Sequence, residues 1–210
     1  MKYIVDGNEY EVVIIKKNNK NTYIRIKEDL KIYVTTNYFV TNSMIKKLLD
    51  DNYSYLSKNI KRQSIKQKKN ELFYYLGEVY DIIIYDTKKI EIIDNRIYVK
   101  DEATLNRWLK KEIKRIYSER LVFLYNEFEE NIPYPNLKIR KMTTRWGVCN
   151  KKTKTITLNS ELIKYSIDKL DYVIIHELSH FIHFNHSKEF WLLVSKYCPR
   201  YKEIRKELRD

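Results

Sequence analysis

The chain is poor in the residues that mark several protein classes. Among 210 residues it has three glycines, three prolines, two cysteines and a single alanine, Ala103. Three glycines cannot build a glycine-rich phosphate cradle of the Walker type. Two cysteines, Cys149 and Cys198, do not make a disulfide framework and fit free thiols in a reducing compartment. No internal repeat, low-complexity segment or Gly/Ser linker interrupts the chain. Long apolar runs are missing too. Stretches such as Tyr80–Tyr85 and Tyr172–Ile175 are too short to span a bilayer, so no membrane partner is expected. Asp6 would interrupt the apolar core of any signal peptide, and a cytoplasmic setting is expected.

Positive charge is abundant. The formal net charge is +13 and the pI is about 9.4. Such a chain attracts polyanions, nucleotides or nucleic acid included. Apart from the stretch 58–69, however, the lysines are spread along the sequence, as on a solvated surface. The wealth of Lys, Asn, Ile and Tyr beside one alanine also reads as the product of AT-rich coding. A nucleic-acid role for the strand-rich N-terminal part is therefore not favoured, and no aromatic RNP-like motif supports it.

Hydropathy periods divide the chain into an α+β pattern. Residues 1–36 alternate with period two. Lys2–Val5 and Glu9–Lys16 flank Asp6-Gly7-Asn8 as a hairpin, and Tyr23–Ile26 and Lys31–Val34 form a second strand pair. Thr41–Gln67 is helical in spacing, with Thr41 or Asn42 as its cap. Residues 72–100 return to strands, closing with a turn at Asp94-Asn95. A long helix is expected from Asp101 to about Asn131, ended by Pro133 and Pro135. Lys138–Met142 and Thr155–Leu158 read as strands. A helix follows from Ser166 through about His183, and a last helical stretch runs from Ser187, interrupted at Pro199. The shift from strands to helices places a boundary near residue 101. It separates a strand-rich domain with one helix (1–100) from a helical domain with a small sheet (101–210).

The chemistry concentrates in the helical domain. All four histidines, 176, 180, 183 and 186, fall in one short segment. His176-Glu177-Leu178-Ser179-His180 is an H-E-x-x-H pattern. Residues four apart share a helix face, so both imidazoles can reach one ion, and neutral imidazoles suit zinc. Glu177 points to the side, where it can take a proton from water activated by the ion. The flanking residues are apolar, and a buried helix carries His and Glu only where they are satisfied. Of the two remaining histidines, His183 would lie almost in line with His176 along the helix. Three ligands in a row cannot surround an ion tetrahedrally. His186, past a turn at Asn185, approaches off-axis and is the expected third ligand. His183 is left as a residue behind the ligands or in the pocket, a candidate with Arg145 for binding substrate, or merely a satisfied histidine. One zinc per chain is expected.

These residues resemble a known family. Arg145-Trp146-Gly147-Val148-Cys149, Ile156-Thr157-Leu158-Asn159, Leu162, Asp171 through His180, Asn185-His186-Ser187 and Phe190-Trp191 are similar to the YgjP-like predicted metal-dependent hydrolases, kin of the SprT and WLM-type zinc metallopeptidases. The resemblance implies a zincin-like C-terminal part, with His176, His180 and His186 as ligands and Glu177 as the catalytic carboxylate. By kinship it implies a peptide or protein substrate. Val148 departs from it, standing where many relatives have Ser.

Arg145 has two readings, a binder of substrate carboxylate, phosphate or oxyanion, and a structural ion pair. Trp146 and Trp191 read as core packing, and Cys149 as a small buried residue rather than a nucleophile. The expected function is zinc-dependent hydrolysis of a peptide bond. The alternative enzyme is a metal-dependent hydrolase of nucleoside triphosphates, whose phosphates the basic chain would attract.

Overall fold

A computed structural model describes residues 1–209, with only the backbone described at residues 66 and 68–70. It is a mixed α+β chain with eleven strands and six α-helices among those residues. It divides into two compact units, 1–72 and 73–210.

The first unit builds on the hairpin of β1 (Lys2–Val5) and β2 (Asn8–Lys16). The strands β3 (Tyr23–Ile26) and β4 (Ile32–Thr36) pair antiparallel, and β4 runs parallel to β2, giving the order β1-β2-β4-β3. The expected single helix is two. Helix α1 (Asn42–Asp51) starts at Thr41, whose side chain accepts from the Met44 N–H, and stops at Asn52; α2 (Tyr53–Glu71) follows. Asn52 bonds the Leu48 carbonyl with its own side chain, a local alternative to continuing the helix. Val5, Val12, Ile32, Val34, Ile45 and Leu56 form the core of this unit.

The second unit begins with strands β5 (Phe73–Tyr75), β6 (Glu78–Ile84), β7 (Glu91–Ile93) and β8 (Arg96–Val99), in the order β5-β6-β8-β7. The compositional boundary near residue 101 thus falls inside this unit. The reason is packing. Tyr75 lies in the same core as the following helices, and the Leu76 N–H donates to the Ile163 carbonyl. The β5–β6 turn, with positive φ at Leu76 and Gly77, sits so close to Ser166 that a side chain at Gly77 would meet its backbone at 3.0 Å.

Helix α3 (Glu102–Glu127) is capped by Asp101, which accepts from the Thr104 N–H at 2.7 Å. It ends four residues before the expected Asn131. Phe128 turns into extended backbone and stacks on Tyr197 at 4.3 Å, so burial of an aromatic ends the helix before Pro133 is reached. Strands β9 (Asn136–Arg140), β10 (Gly147–Asn150) and β11 (Thr155–Asn159) make a small sheet in the order β10-β11-β9. Here β10 pairs antiparallel with β11, and β9 pairs parallel with it. A 3-10 turn at Ser160–Lys164 leads into α4 (Ile167–Ser179), followed by α5 (Lys188–Tyr197) and α6 (Tyr201–Glu207). Two bonds of 2.7 Å from the Arg120 guanidinium to the Asp171 carboxylate tie α3 to α4, which buries Ile174, Ile175 and Leu178 in the core.

Candidate metal centre

Helix α4 carries His176 and Glu177 in its last turn and ends at Ser179, with His180 as its C-cap. The expected end near His183 is corrected by the local bonding. Ser179 is buried and its hydroxyl bonds back to the Ile175 carbonyl. Its own carbonyl accepts from both Ile182 and His183, which tightens and closes the helix. The chain therefore leaves the axis before His183, and the argument against three ligands in a row does not apply to it. His183 instead gives its carbonyl to His180 Nδ1 at 3.1 Å. That bond orients the His180 ring and leaves its Nε2 free to ligate.

His186 returns to the helix and brings its Nε2 to 3.1 Å from His176 Nε2. One donor atom from each of His176, His180 and His186 lies within 4.8 Å of the other two. His183 is not in that group. Two nitrogens each ~2.0–2.1 Å from one tetrahedral ion would stand roughly 3.3 Å apart, so the 3.1 Å spacing fits a shared cation. The protonation states fit as well. Burial, then the neighbouring rings His180 and His186, push the His176 pKa down to about 3. His180 and His186 are also lowered, chiefly by burial. Three neutral imidazoles are the donor set that a zinc-like ion takes. His176 Nδ1 is buried and has no partner among the described residues.

Aromatic residues hold the rings. Phe190 is fully buried, with its ring centroid 4.7–4.9 Å from those of all three histidines. Ser187 caps α5, accepting from the Phe190 N–H at 3.3 Å, and so fixes the residue after His186. Trp191 stacks on His186 at 5.4 Å, Tyr201 stacks on Trp191 at 5.3 Å, and the Arg205 guanidinium lies 4.5 Å over Trp191. Trp191 thus does more than pack a core, a role that its i,i+5 spacing from His186 does not announce. Trp146 is a packing residue, its indole N–H bonded to the Leu208 carbonyl.

Glu177 is 4% exposed and faces β10, the strand that sequence periodicity missed. The Cys149 backbone N–H bonds its carboxylate, and the charge of Arg145 favours its ionised form. Burial outweighs both and pushes its pKa up to about 8. Gly147 makes room for it. A Cβ there would meet Glu177 Oε1 at 2.5 Å and Cγ at 2.7 Å. Asn159 organises the loop that delivers these residues. Its side chain bonds the backbone of Met142, Arg145 and Glu161. Arg145 is exposed and makes no ion pair of contact length among the described residues, its charge reaching the Glu177 carboxylate. Cys149 lies close enough to Glu177 for that charge, after burial, to help raise its thiol to about 12. Both cysteines are free.

Two expected results follow from this packing. Gly147→Ala should retain the metal yet lower hydrolysis by roughly 10²-fold, because it displaces Glu177 by a fraction of an ångström or more. Full turnover with unchanged kinetics would show that the position of the carboxylate is unimportant. The second concerns the metal-free protein. A carboxyl whose pKa is raised to about 8 costs stability once the unfolded chain ionises above ~4.5. The cost grows with pH until about 8, by at most ~1.4 kcal/mol per pH unit for one proton. Metal-stripped Glu177→Gln should therefore be more stable than wild type at pH 8, with the gap closing toward pH 4.5. Urea midpoints across that range test it, and a gap that does not vary with pH contradicts it.

The family model for the YgjP-like metallopeptidase domain matches residues 20–210. Among solved structures, the chain is similar to the metallopeptidase zymogen abylysin of Pyrococcus abyssi. The identity is 27% and the TM-score 0.40, over 44% of this chain and 90% of that one. It is also similar to the metallopeptidase zymogen jannalysin of Methanocaldococcus jannaschii, at 31% identity and TM-score 0.35, over 46% of this chain and 92% of that one. No curated protein matches.

Proposed function

Because the chain belongs to the YgjP-like metallopeptidase family, we propose that it hydrolyses peptide bonds using one zinc ion held by His176, His180 and His186. The observation that carries this reading is the meeting of three neutral imidazoles beside one buried carboxylate. Zinc at this place would polarise the scissile carbonyl and acidify water. Glu177 takes the proton from the attacking water and passes it to the leaving amine. The Cys149 N–H and the Arg145 charge work toward the ionised form that the first transfer needs, against the burial that raises the pKa to about 8 in the metal-free chain. Arg145, exposed and in no contact-length ion pair among the described residues, can bind substrate carboxylate or the developing oxyanion while its charge acts on Glu177. His183 acts through its carbonyl by orienting His180.

Strand β10 supports an extended substrate. It is an edge strand, and the Trp146 carbonyl bonds to β11. By alternation, the backbone groups of Gly147 and Cys149 face away from β11, and the Cys149 N–H meets Glu177. A peptide laid along this edge would present its bonds to the carboxylate. Two free cysteines suit action in the reducing cytoplasm.

Zinc-loaded protein incubated separately with casein, a mixed peptide library and nucleoside triphosphates tests the proposal. Cleavage of peptide bonds that stops on chelation is the expected result. Phosphate release from nucleotides without peptide cleavage would overturn it.

A further inference from the structure

We infer that the chain carries a second peptide-binding site, a groove between α3 and the outer edge of β9 that takes an extended acidic segment of a partner protein. The groove has a volume of about 770 Å³. Its floor is apolar, formed by Leu109 and Ile113 of α3 and by Leu137 and Ile139 of β9. Its rim is basic. Lys110, Lys114 and Arg140 line it, and none of the three has a carboxylate partner among the described residues. The one acid in the lining, Glu161, is already engaged by Lys164 at 2.7 Å and Lys141 at 3.6 Å.

Three features select the occupant. The first is a free strand edge. Asn136 donates its N–H to the Lys154 carbonyl, toward β11. Alternation then points the backbone groups of Leu137 and Ile139 outward, where no strand among the described residues pairs with them. Unpaired N–H and C=O groups in register are what an added peptide strand satisfies. The second is charge. Lys110 and Lys114 stand four apart on one helix face, where their like charges repel unless an anion offsets them. The third is the absence of any aromatic side chain from the lining, which denies nucleobases a stacking platform. A peptide that alternates acidic and apolar residues meets all three demands. Its backbone pairs with β9, one face of apolar side chains covers the floor, and carboxylates reach the rim. β9 and β10 are opposite edges of one three-stranded sheet, so this site is separate from the edge that faces Glu177.

The test is fluorescence polarisation with the full chain in EDTA, which prevents cleavage. The probe is a labelled ten-residue peptide of alternating glutamate and leucine. Saturable binding is expected, weakened tenfold or more by N-methylation of alternate peptide amides, which removes the strand pairing. The variant K110E/K114E should weaken it at least as much, with its melting temperature measured to confirm the fold. Arg140→Ala, a milder change, should weaken it several-fold. The inference is overturned if the peptide does not bind. It is also overturned if the charge variants bind as wild type does, or if N-methylation has no effect. An unstructured polyglutamate or an oligothymidylate that binds as tightly as the probe would equally overturn it, by reducing the groove to a patch of charge.

Discussion

Glu177→Gln is expected to keep the metal and lose peptide hydrolysis by about 10²–10⁴-fold, the range for removing a positioned proton carrier. The substitution is nearly isosteric. It leaves Gly147 and the Cys149 N–H their contacts, and it does not touch the three imidazoles. What it removes is the ability to accept and release a proton. The loss should appear in kcat more than in KM, because the proton moves in the transition state and not on binding. Metal content measured on the same preparation separates this outcome from a collapsed site. Unchanged kcat with full metal would mean that the carboxylate is structural and that another group carries the proton.

The second large effect is expected at the ligands. His186→Ala should severely lower zinc affinity, and His183→Ala should lower it by no more than about tenfold, the usual cost of disturbing a group behind a ligand. The geometry dictates the difference. His186 Nε2 stands 3.1 Å from His176 Nε2, whereas His183 reaches the centre only through its carbonyl, which alanine retains. His183→Pro also keeps that carbonyl but removes the N–H that closes the helix on Ser179, so it tests whether the carbonyl is held in place. Competition with a chromophoric chelator, run on both alanine variants, gives the two affinities. Zinc release by His183→Ala alone would reverse the assignment.

The centre was largely legible in the sequence because its core is local. Two histidines and a glutamate within five residues need only a helix to converge, and all four histidines lie within eleven residues. The β1–β2 hairpin and the Thr41 cap were legible for the same reason. What failed to show depends on distant parts of the chain. The parallel pairings of β2 with β4 and of β9 with β11 join segments with no common turn. Strand β10 is four residues long and contains a glycine, so it has little period to read. The role of Gly147 is invisible without the fold, because its lack of a side chain serves Glu177, thirty residues away. The end of α4 was misplaced because Ser179, an ordinary residue by propensity, closes the helix through bonds to Ile175, Ile182 and His183. The units divide at residue 72 rather than near 101 because the β5–β6 turn is packed on the start of α4, a contact that composition does not record.

X-ray absorption at the zinc edge tests the central claim most directly. The account predicts one zinc per chain with three imidazole nitrogens and an oxygen at ~2.0–2.1 Å, reduced by one nitrogen in His186→Ala. A zinc–sulfur distance near ~2.3 Å, which would place Cys149 in the shell, or a spectrum unchanged by His186→Ala, would contradict it.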